Sequence, residues 1–92
     1  MELANKVICK DQKLFFVEGF YGKHYLIKIS SSISEVMIPY ELLNVLRISH
    51  DENLSIGDAF KKVLGVEANS ENLNKLSKQV NWLNEKGMIC LK

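Results

Sequence analysis

Apolar and polar positions follow two different rhythms along this chain, and the change falls near Pro39. Before it, apolar residues come in short runs of strand length. Lys6 to Lys10 ("KVICK") is a short apolar-centred run, and Asp11-Gln12 after it reads as a two-residue turn. Leu14 to Phe20 ("LFFVEGF") is aromatic and β-branched, as strands prefer, and Gly19 and Gly22 punctuate its end. His24 to Ile29 sets Tyr25, Ile27 and Ile29 against His24, Leu26 and Lys28. Both sets contain apolar residues, which predicts a strand buried on both faces. Three serines, Ser30 to Ser32, make a turn. Ile33 to Ile38 is then a fourth short strand, ended by Pro39.

Beyond Pro39 the spacing becomes helical. Proline suits a first helical position, where its missing N–H is harmless. Leu42, Leu43 and Leu46 form a stripe to about Ile48, and "SHDEN" breaks it. Ser55 with Asp58 is a variant capping box, followed by a stripe of Ile56, Ala59, Phe60, Val63 and Leu64 that Gly65 stops. Ser70 opens a third helix as its cap. Leu73, Leu76, Val80 and Leu83 recur on one face, Lys86 sits in the last turn, and Gly87 follows as the C′ residue. Met88 to Leu91 closes the chain as a strand. The order is β-β-β-β-α-α-α-β, and a helix, "LNEKG" and an apolar strand are how a winged helix ends. The expected fold is therefore α+β. It is a winged helix-turn-helix with N-terminal antiparallel strands, three helices and a short C-terminal strand, in a single domain over residues 1–92.

Ninety-two residues leave no room for two independent cores, and 47% hydrophobic with 25% charged residues argues against disorder. The core is thin enough that a second copy of the chain is a candidate partner. A formal charge of +1 is low for a domain that must neutralise several phosphates. Cys9 and Cys90 read as small buried hydrophobes; a disulfide between them requires the first and last strands to be neighbours. No signal peptide and no membrane-length apolar run is present, so the chain is expected in the cytoplasm, away from membranes.

Candidate chemistry is sparse. His24 lies in a strand and His50 in a polar loop beside Asp51 and Glu52, and no ligand spacing supports a metal or cofactor. The serines fall at a turn and at caps, where their hydroxyls satisfy backbone groups. No glycine-rich phosphate loop or nucleophile elbow occurs, so an enzyme is not expected. Trp82 lies about 100° around the helix from Leu83, off the core stripe. It is either packed under the sheet or an anchor for a partner. Lys75, Lys78 and Gln79 share its side. The strand ending at Ile38 offers unpaired backbone groups if it lies at the sheet edge, and an extended peptide can add there; alternatively, Glu35 and the strand's shortness protect it.

The strands followed by "MIPYELLNVLRIS", a polar break, "LSIGDAFKKVLG" and "LNKLSKQVNWLNEKGMI" resemble the PqqD-like family, the precursor-peptide recognition elements of ribosomal peptide natural-product pathways. The resemblance covers roughly Tyr25 to Leu91 and is one of element order. It implies a non-catalytic module. A leader peptide would add as a β-strand between the last N-terminal strand and the third helix, for presentation to a tailoring enzyme. Carried onto this chain, the groove comprises Ile33, Glu35, Val36 and Met37 on the strand. Lys75, Leu76, Lys78, Gln79, Val80 and Trp82 lie on the helix, with Val36, Leu76 and Val80 as its floor.

The alternative reading is a winged-helix DNA-binding transcriptional regulator, with Asn72, Lys75, Lys78 and Gln79 reaching phosphates or bases. Against it stand the near-neutral charge and the lack of arginine in the third helix, Arg47 being the only one in the chain. A structural or inhibitory protein-interaction domain is the third.

Overall fold

The computed structural model describes residues 3–9 and 13–92; the Asp11-Gln12 turn expected from sequence lies outside them. Three strands, β1 (Lys13–Glu18), β2 (His24–Ile29) and β3 (Ile33–Ile38), form an antiparallel sheet in the order β1-β2-β3. Three helices follow: α1 (Tyr40–Glu52), α2 (Ile56–Leu64) and α3 (Ser70–Glu85). A 3-10 turn at Leu3–Asn5 precedes the sheet and packs beside α2.

Strict alternation divides the sheet into two faces. Phe16, Leu26 and Val36 stand in one cross-strand row, with Leu14 and Ile38 on the same face, and these meet the helices. The opposite face carries Phe15, Val17, Ile29, Ile33 and Met37, all exposed, around half-buried Tyr25 and Ile27. The two-sided burial expected for β2 is thus not met: Leu26 is fully buried, while the other side is only partly covered, because no second layer among the described residues lies on it.

The β1–β2 connection is a tight turn. Lys23 N–H donates to Phe20 O (3.2 Å), and Tyr21 and Gly22 both take positive φ, 59° and 73°, the pattern of a type I′ turn. The expected strand reaching Phe20 therefore stops at Glu18.

Helix ends follow local hydrogen bonding. Pro39 is the N-cap of α1 rather than its first residue. The "SHDEN" break lies further on than the spacing suggests, because Ser49 is buried and its hydroxyl donates to Leu54 O (2.8 Å). The helix runs to Glu52, and Asn53 ends it in the left-handed region. Ser55 caps α2 through its Oγ, which accepts from Asp58 N–H. Asn69, not Ser70, caps α3, accepting from Asn72 N–H (2.8 Å). Gly87 N–H donates to Asn84 O and Met88 N–H to Leu83 O, a paired closure that needs the positive φ of Gly87 and buries Met88.

The ends of the described chain meet. Val7 and Lys92 exchange backbone bonds of 3.1 and 2.9 Å, Ile8 bridges Leu91, and Cys9 N–H donates to Cys90 O (2.9 Å). This isolated bridge stands where extended strands were expected at Lys6–Lys10, whose last residue lies outside the described ones, and at Met88–Leu91. The core beneath is continuous, from Leu3 and Ile8 through Leu26, Leu43, Leu46, Ile56, Leu73 and Val80 to Ile89.

Candidate functional site

The sheet order leaves β3 at an edge, with β2 on one side and, among the described residues, no strand on the other. Its C-terminal end runs into Pro39, the N-cap of α1, and α3 passes across this junction. Between them opens a cleft of about 280 Å³ lined by Met37, Ile38, Pro39, Leu42, Lys78, Gln79, Trp82 and Leu83. Its floor is apolar, because Ile38, Leu42 and Leu83 are buried core residues reached from one side. Only Lys78 among the lining residues carries charge. A second hollow of about 390 Å³ adjoins it, sharing Pro39, Leu42 and Gln79 and extending past Tyr40, Glu41, Phe60 and Leu64 to Asn72, Lys75 and Leu76. The two follow one side of α3.

Trp82 is 47% exposed at the wall of the first cleft, and the Lys86 ammonium lies 6.0 Å from its ring centroid. The helical periodicity explains the exposure: Leu83 and Val80 take the core-facing positions and turn Trp82 to the margin. An indole half in water, beside an apolar hollow and two ammonium groups, offers stacking area, an N–H donor and a positive rim.

The positions singled out in the sequence fall into three groups. Met37, Lys78, Gln79 and Trp82 meet in the first cleft, and Lys75 and Leu76 line the second with Gln79. Ile33 and Glu35 are exposed further along β3 and on its outer face, away from the clefts. Val36 faces inward beside Leu26, partly buried and packed against the core, and Val80 is fully buried; neither is among the residues that line the two clefts. Leu76, 6% exposed, is the one expected floor residue that reaches a cleft. Pro39 and Leu42 were not foreseen as lining, and Ile38 and Leu83 only as the ends of the strand and helix that bound the groove. Their sequence signals were those of a helix start and a core stripe, and the lateral placement of α3 over the β3–α1 junction is a tertiary property.

The histidines do not join this site. His24 packs its ring on Tyr40 with centroids 5.1 Å apart, and His50 Nδ1 lies 3.0 Å from an Asp51 carboxylate oxygen. Among the described residues no group of three or more His, Cys, Asp or Glu is placed to hold a metal ion, and no helix is long and apolar enough to cross a membrane.

Compared with protein-family models, curated proteins and solved structures, the chain matches none.

Proposed function

We propose that this domain is a non-catalytic peptide-binding module that takes an extended segment as an added strand along β3. The peptide's chemistry follows from the surfaces beside that edge. Main-chain groups pair with the open edge of β3, an apolar side chain enters the cleft over Leu42 and Leu83, and an acidic side chain meets Lys78. In the PqqD-like reading the fold is a winged helix. Its ligand is the leader of a ribosomally made precursor peptide, and its second partner is the enzyme that modifies that precursor. The observation that carries the proposal is the coincidence of an unpaired strand edge with an apolar, lysine-rimmed cleft at its end.

Peptides selected from a random phage-displayed library against the purified chain test this. Amide hydrogen exchange of the selected complex should slow along Ile33–Ile38. Trp82→Ala should weaken binding by about tenfold or more, as the loss of an aromatic anchor does. The affinity should depend only mildly on salt. Slowed exchange confined to other elements overturns the assignment. Binding of duplex DNA that collapses with salt moves the reading to a nucleic-acid regulator.

A further inference from the structure

We infer that Cys9 and Cys90 form a reversible intramolecular disulfide that covalently joins the two end segments of the domain. The residues are 81 positions apart, yet the fold sets them directly opposite each other across an antiparallel pair, with Cys9 N–H bonded to Cys90 O. Directly opposed, hydrogen-bonded residues have Cα atoms about 5.5 Å apart, which lies within the range a disulfide spans. The two Sγ atoms are in contact at 2.6 Å. No backbone movement is needed to bring the sulfurs together, which is the usual obstacle to such a bond.

Exposure assigns the two thiols different roles. Cys90 is exposed and Cys9 is buried. With a small disulfide such as oxidised glutathione as oxidant, the Cys90 thiolate attacks one glutathione sulfur. A mixed disulfide forms and the first glutathione leaves as thiolate. The Cys9 thiolate then attacks Cys90 Sγ, the mixed disulfide breaks, and the second glutathione leaves. The protein gives up two electrons and two protons, and the oxidant becomes two thiols. A thiol reductant reverses the sequence.

The bond closes almost the whole chain into one loop, the case in which a cross-link most restricts the unfolded state. It also fastens a segment that is held by the burial of Leu3 and Ile8 in the core and, besides the Cys9–Cys90 backbone bond, by further backbone bonds. These are the Val7–Lys92 pair, and Lys6 O accepting from Ile56 N–H at 2.8 Å.

The test uses the full chain, reduced, desalted and then treated with oxidised glutathione, with remaining thiols alkylated before intact-mass analysis. The expected product has lost two hydrogen atoms, takes up no alkylating reagent, and on digestion yields one cross-linked peptide pair containing Cys9 and Cys90. Its melting midpoint should exceed that of the reduced chain by about 10 °C or more. Cys9→Ala should stop at a chain carrying one glutathione on Cys90. Cys90→Ser, altered at an exposed position, should take up none while folded. A wild-type chain that remains reduced, ends as a glutathione adduct, or forms a covalent dimer overturns the inference. So does an oxidised chain that melts no higher than the reduced one.

Discussion

Tyr21 holds a backbone conformation that bulky residues avoid, with φ of 59° at the tip of the β1–β2 turn and its side chain fully exposed. Type I′ turns favour Asn before Gly, because Asn tolerates the left-handed region. Tyr21→Asn is therefore expected to stabilise the domain by about 1 kcal/mol, read as a raised urea midpoint at unchanged slope. No packing is lost, since the ring touches solvent. Trp82 presents the reverse situation. Its backbone is ordinary helix, and the helical spacing already set it off the core stripe, but not whether the sheet would cover it. The same spacing could not show that Leu42 and Leu83, both plain core residues by pattern, would be reached from outside. Periodicity tells which face of a helix is apolar, but not how far the neighbouring strand extends over it.

At the scale of elements, local chemistry set boundaries wherever a single residue type dominates. The Ser30–Ser32 turn and Pro39 bracket β3, and Gly65 and Gly87 end α2 and α3 as their positions imply. The end of α1 escaped because the deciding bond, Ser49 Oγ to Leu54 O, forms only once Ser49 is buried. The paired end segments escaped as extended strands because their length depends on a partner at the other end of the chain. Packing between elements also reverses a local preference at Gly57. In an isolated helix, Gly→Ala gains about 1 kcal/mol. Here an added Cβ would lie 2.8 Å from Ala4 O and 3.0 Å from Ala4 Cβ, where the Leu3–Asn5 turn rests on α2. Overpacking of this kind costs about 1–3 kcal/mol, so Gly57→Ala should lower the chemical denaturation midpoint. A rise would mean that the N-terminal turn moves aside freely.

For the whole molecule, the dominant asymmetry is between the two faces of the sheet. One is sealed by helices, and the other presents Phe15, Val17, Ile29, Ile33 and Met37 to solvent. A patch of this kind limits solubility more than it affects folding. Phe15→Lys should change unfolding free energy by less than about 1 kcal/mol, since the site is half exposed. It should also raise the ammonium sulfate concentration needed for precipitation. If stability falls by several kcal/mol instead, that face is more tightly packed than its exposure indicates.

The pairing of residues 7–9 with 90–92 bears on the order in which the domain assembles. Contacts between the two extremities carry the greatest loop-closure cost of any in the chain, so a folding nucleus has little reason to include them. The sheet, the helices and their common core can condense first, and the ends then zip together over a structure already formed. Strengthening that seam, by whatever means, would leave the speed of folding nearly untouched and instead lengthen the lifetime of the native state.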